Sequence, residues 1–185
     1  MKVFAYQKVS NSIDHIQVGN KIEVALGAPF HKTVTATAQQ VTADEVVFLF
    51  DSCLAEMVWT EIGKWLADVL LPAFPNDIYK QMSQITLPTV GQMFGPDDDD
   101  AEWIRQTFEQ DDKPQFELMK NDFSRIAEYE GHTEWYWLLN RHKDSATDFA
   151  LVYYYGYASG SHASDAGGVR PVFTLRRAQL PIINL

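Results

Sequence analysis

The residue types most able to do chemistry gather between Asn140 and Arg170. Ser159, Ser161, His162 and Asp165 fall within a single short stretch, and together they supply hydroxyls, an imidazole and a carboxylate, the groups of a nucleophile, its base and its orienter. The Gly-x-Ser-x-Gly turn that exposes such a nucleophile between strand and helix is absent. The set therefore reads as polar contacts on a loop. Asp144, His142 and Asp165 form a scattered alternative, which a hydrolase or transferase would have to bring together in space. No catalytic residue is assigned.

Metal chemistry finds little support. His15, His31, His132, His142 and His162 lack the close spacing of metal ligands. Asp97-Asp98-Asp99-Asp100 invites calcium, which takes about six to eight converging oxygens. The run lacks the alternation of a calcium loop, so a solvated acidic loop capping the next helix is expected. Cys53 is the single cysteine; beside the apolar run 46–50 it reads as a buried, inert thiol. No metal and no other cofactor is expected.

Recognition chemistry is better served. Tyr153-Tyr154-Tyr155-Gly156-Tyr157 supplies large contact area at low entropic cost. In a strand, Tyr153 and Tyr155 face the core beside Trp135 and Trp137, while Tyr154 and Tyr157 are displayed. With Asn140, Arg141, Ser159, Ser161, His162 and Asp165 they make the expected ligand-binding patch. Trp135, Trp137 and Arg170 are expected to be structural. Arg170 lies between Val169 and Pro171, so its buried guanidinium needs acceptors, expected from a carboxylate and backbone carbonyls.

The elements that must position these groups follow from periodicity. Residues 21–26, 33–38 and 46–50 read as strands of an antiparallel meander. Residues 56–71 repeat apolar side chains at helical spacing up to Pro72. Residues 76–82 suggest a short helix opening on Asn76, and 100–105 another with acids in its first turn. Residues 116–126 are a weaker helical stretch. The end returns to strands, with loops expected at His142–Thr147 and Ala158–Ala166.

With 185 residues, 46% hydrophobic and 22% charged, the chain is expected to form one domain over 1–185. Its net charge of −10 argues against a nucleic-acid partner, which needs a basic face. Between Asp97 and Glu130 stand twelve acidic residues and four basic ones, a local balance of −8. No apolar run approaches the ~20 residues of a membrane span. The first eight residues lack the apolar core of a secretory signal. A cytoplasmic protein, or one released with phage particles, is expected.

Trp137-Leu138-Leu139-Asn140, Ala150-x-Val152, Gly156, and Gly168-Val169-Arg170-Pro171 followed by Leu175 together resemble a family of uncharacterised bacterial and prophage domains. Those domains commonly show a Trp-Leu-Arg-Ser segment, an Ala-x-x-Val strand, a glycine turn and a closing Gly-Val-Arg-Pro strand. The order of 46–51, Trp65-Leu66 and Leu87-Pro88-Thr89 with Phe94-Gly95 fits too, so the likeness spans residues 19–185. It implies an α+β fold: a single C-type-lectin-like domain with an antiparallel sheet, one or two packed helices and long loops. Formylglycine-generating enzymes and phage variable receptor-binding proteins use that fold. Leu139-Asn140 departs from the family's Arg-Ser, and residues 96–130 form a longer acidic, partly helical insertion. Formylglycine chemistry needs paired cysteines, which one cysteine excludes.

The expected function is a non-catalytic binding module, encoded by a prophage or host-interaction locus, that recognises a protein or glycan through its loop and aromatic face. A structural subunit of a phage tail or similar assembly, oligomeric through the same surface, is the alternative.

Overall fold

The computed structural model of the chain describes residues 13–177. The N-terminal segment read for a signal, and the last eight residues of the expected domain, lie outside the described residues.

Alternation sets the first sheet. In β1 (Lys21–Leu26), Ile22, Val24 and Leu26 are buried and the residues between them exposed. β1 pairs with β2 (Lys32–Val41), and β2 with β3 (Glu45–Phe50), all antiparallel, as the meander predicted. The sheet closes with strands from far along the chain, in the order β1-β2-β3-β12-β5, where β5 is Met82–Thr86 and β12 Val172–Arg176. Phe173 of β12 lies 5.3 Å from Phe48 and 5.1 Å from Phe50, ring to ring, at the centre of the core.

A second sheet runs β10-β9-β8-β11-β4. Its strands are β4 (Ala55–Val58), β8 (Tyr136–Arg141), β9 (Asp148–Val152), β10 (Ala158–His162) and β11 (Ala166–Val169). Pairings are antiparallel except for one parallel bridge, Gly168 to Tyr136. β11 and β12 are separated only by Arg170 and Pro171, so the Gly-Val-Arg-Pro segment carries the chain from one sheet to the other. A small hairpin, β6 (Ala127–Tyr129) with β7 (His132–Glu134), completes the strands. The architecture is mixed α+β, with mostly antiparallel sheets and short helices. No helix among the described residues is long and apolar enough to cross a membrane.

Four local expectations change. Residues 56–58, read as the start of a helix, belong to β4 because β11 offers them a partner edge. Helix α1 (Trp59–Trp65) then continues through a π-helical turn (Leu66–Leu70) into α2 (Leu71–Ala73). The run ends at Ala73, one residue past Pro72 and close to the expected stop. The 116–126 stretch is helical only in α6 (Asp122–Arg125), capped by Asn121. The Met119 carbonyl instead accepts from Gln115 and from the Arg125 guanidinium, which draws it out of a helical ladder.

The last two changes concern the expected patch. Tyr153–Tyr157 is not a strand but a tight turn: the Gly156 N–H donates to the Tyr153 carbonyl and the Tyr153 N–H to the Tyr157 carbonyl, each at 2.9 Å. Ala158–Ala166 is not a loop but strand β10, a turn, and the start of β11. Its small residues serve packing, since a Cβ at Gly160 would meet the Phe108 ring at 3.2 Å. The shorter helix α5 (Ala101–Thr107) stands near its expected place; α3 (Asn76–Tyr79) stops short of the expected 76–82 because Met82 enters β5, and it opens on Pro75 without an Asn76 side-chain cap; α4 (Val90–Met93) opens on a Thr89–Gln92 capping box.

Candidate functional site

The tyrosine turn joins β9 to β10. Tyr153 packs 4.9 Å from Tyr154 and 5.1 Å from Tyr157. Tyr155 is 70% exposed and Tyr157 38%, while Tyr153 and Tyr154 are half-buried. The displayed pair is thus Tyr155 and Tyr157, because the chain turns here instead of running straight. Loss of solvation and the nearby Glu134 carboxylate push the Tyr154 phenol above its ordinary value. Loss of solvation, Tyr153, Tyr155 and then Asp100 act on Tyr157 in the same direction.

Gly156 makes the turn possible twice over. Its φ of +90° lies in the left-handed region, and a Cβ there would overlap the backbone of Asp122. The turn is therefore pressed onto the start of α6.

Arg125, 1% exposed, fastens that contact. Its Nη1 donates to the Gly156 carbonyl at 3.2 Å and to Asp122 Oδ1 at 3.0 Å. Its Nε donates to the Met119 carbonyl at 3.0 Å, Nη2 pairs with the Asp98 carboxylate, and the guanidinium lies 4.4 Å over the Phe94 ring. One member of the Asp97–Asp100 run is thereby an internal counter-ion, so this run is not wholly a solvated loop. Sequence reasoning passed over Arg125 because two of its partners, Asp98 and Gly156, stand 27 and 31 residues away.

Arg170, 5% exposed, stands behind Arg125. Its Nε donates to the Phe50 carbonyl at 2.8 Å, and Nη1 to the Arg125 carbonyl and the Tyr136 hydroxyl at 3.1 Å. Tyr136 Oη in turn donates to the Arg125 carbonyl at 2.7 Å. The expected backbone carbonyls are present; the expected carboxylate is not, since no ion pair among the described residues involves Arg170. Burial, opposed by Arg170, pushes the Tyr136 phenol up to about 12, which keeps the proton it donates.

Trp137 is fully buried, its Nε1 donating to the Met57 carbonyl, with Trp135 edge-on at 4.8 Å. The Gly167-Gly168 pair admits these neighbours: a Cβ at Gly167 would overlap the Trp135 ring, and one at Gly168 would meet Cys53 Sγ at 2.7 Å. Burial, partly offset by Arg170, pushes the Cys53 thiol up to about 12, so it carries no thiolate at neutral pH.

The remaining candidates lie elsewhere. Tyr136 pairs with Val152 and Arg141 with Phe149, while His162 pairs with Asp148. Arg141, Ser161, His162 and Asp165 therefore gather at the opposite end of the β8–β9–β10 sheet, roughly 14 Å along the strands from the turn. Ser159 lies near the tyrosine end. At the far end Arg141 pairs with Glu109 at 2.8 Å, Ser161 Oγ donates to Asp165 Oδ2 at 2.5 Å, and the His162 ring meets Ser164 Oγ at 2.7 Å. The Ser161, His162 and Asp165 side chains do not line up as nucleophile, base and orienter.

Asn140 points inward. It is 8% exposed; Oδ1 accepts the Val90 N–H at 2.9 Å, and Nδ2 donates to the Glu109 carbonyl at 2.8 Å and to Asp111 Oδ2 at 3.0 Å. Asp111 also accepts from Thr89 Oγ1 and from the Gly91 and Lys113 N–H groups. Its polar atoms serve the chain itself.

A half-open apolar groove of about 360 Å³, walled by Trp59, Ile62, Leu66, Ile85, Leu87 and Leu139, contains no titratable side chain. Among the described residues, no group of three His, Cys, Asp or Glu side chains could hold a metal ion.

A family model described as "Domain of unknown function (DUF6273)" matches residues 57–177. No curated protein matches the chain.

Proposed function

The chain belongs to the domain family of unknown function DUF6273, and from that premise we propose that it is a non-catalytic binding module that recognises a protein or glycan through the tyrosine turn. The observation that carries this is the exposure of Tyr155 and Tyr157 on a turn whose backbone is clamped from beneath by Arg125. A clamped turn displays its rings with little ordering left to lose on binding. Ser159 extends the patch. A C-type-lectin-like arrangement belongs to the same proposal, supported by the Gly-Val-Arg-Pro crossover between two mostly antiparallel sheets, and so does a prophage or host-interaction setting, which rests on the sequence resemblance alone.

The test is a combined glycan and protein array probed with the wild-type chain and with the Tyr155→Ala/Tyr157→Ala variant, whose melting temperature is checked beside it. Saturable ligands lost in the variant support the reading. Ligands retained by a folded variant, or concentration-dependent self-association with no ligand at all, overturn it; the latter favours an assembly subunit.

A further inference from the structure

We propose that the surface formed by Phe123, Tyr155 and Tyr157 docks a lysine- or arginine-rich segment of a partner protein; this names the partner class of the binding surface above and rests on that reading. Phe123 is 87% exposed and Tyr155 70%, the two most exposed large apolar side chains among the described residues. They are far apart in sequence, yet the segments that carry them touch backbone to backbone where Gly156 meets Asp122. Arg125 Nη1 holds both segments at once, through Asp122 Oδ1 and the Gly156 carbonyl. The clamp thus joins the two segments that carry these exposed rings, and exposed apolar patches mark interaction sites.

Charge selects the occupant. The 97–130 segment, which supplies Phe123, carries a balance of −8. Arg125 engages Asp98 and Asp122. Asp97, Asp99 and Asp100 form no ion pair among the described residues, and with Asp98 and Asp122 they line a depression beside the clamp in which five carboxylates face two cations, Lys120 and Arg125. Aromatic faces attract lysine and arginine heads, and the surrounding carboxylates favour the same charge. An acidic or nucleic-acid partner would meet repulsion here.

The test is fluorescence anisotropy of a labelled eight-lysine peptide, with an eight-glutamate peptide as control, against the full chain. Binding of the lysine peptide alone, weakening from about 50 to about 300 mM salt, is expected. Phe123→Ser/Tyr155→Ser and Asp97→Asn/Asp99→Asn/Asp100→Asn are each expected to weaken it by roughly tenfold while melting no lower than the wild type. Unchanged binding in the folded Phe123→Ser/Tyr155→Ser variant, meaning diffuse charge attraction only, overturns the proposal, as does absence of binding. An uncharged array ligand that depends on Tyr155 and Tyr157 would overturn the cationic partner class while leaving the binding function standing.

Discussion

At one end of the β8–β9–β10 sheet, Asn140, Asp111 and Thr89 turn inward and use their polar atoms on one another and on backbone groups. At the other end, Tyr155 and Tyr157 turn outward, as does Phe123 on α6, while the polar work beneath the turn is done by Arg125 and Arg170. Both ends contain a buried, hydrogen-bonded polar knot. They differ in what the knot supports: at the Asn140 end it joins loops to strands and displays nothing, and at the tyrosine end it holds aromatic rings in water. Buried polar groups are costly when half-satisfied, so a satisfied knot beneath exposed rings is a reason to seek recognition there.

The sharpest way to break this contrast is Gly156→Ala. The left-handed backbone and the overlap with Asp122 are expected to cost more than about 4 kcal/mol in denaturant unfolding. A variant of near wild-type stability would mean that the turn is not clamped. Next comes Arg125→Met, which strands the buried Asp98 carboxylate and is expected to cost about 3–5 kcal/mol. Arg170→Met leaves only neutral acceptors unpaired, so about 2–3 kcal/mol is expected; a larger loss than for Arg125→Met would invert the ranking of the two arginines.

At the inward end, Asn140→Ala is expected to cost about 1–3 kcal/mol by leaving the Val90 N–H without its acceptor. A loss of binding at unchanged stability would return Asn140 to the recognition surface. Smallest is Asp100→Asn. Burial, then Asp98, Asp122 and Asp99, raise this carboxyl above its ordinary value of 3.8, with Arg125 opposing. A folded pKa above the unfolded one makes native stability fall as pH rises from about that ordinary value through the raised one. The variant should therefore be slightly more stable than wild type at pH 7 and equal to it near pH 3, read from denaturation midpoints.

The legible parts of this chain were those in which the pattern is local. Alternation along 21–26 and the β-branched run 33–38 give away the meander, because each strand needs only its neighbour in sequence. The small residues of 158–166 misled, since glycine and serine suit a loop in isolation, and only Phe108 explains why they are strand residues here. The tyrosines were found by composition, but which of them face water was not, because a turn rather than a strand orients them.

By itself, then, the sequence determined the α+β class, the three-strand meander of the first sheet and the buried cysteine. Tertiary structure alone decided that Asn140 belongs to the interior, that Arg125 pairs with Asp98, and that the start of α6 meets the tyrosine turn where Asp122 lies against Gly156. The reason is physical: alternation and turn chemistry act between near neighbours, whereas a buried guanidinium takes its acceptors from wherever the chain returns, here from residues as far as 120 positions away.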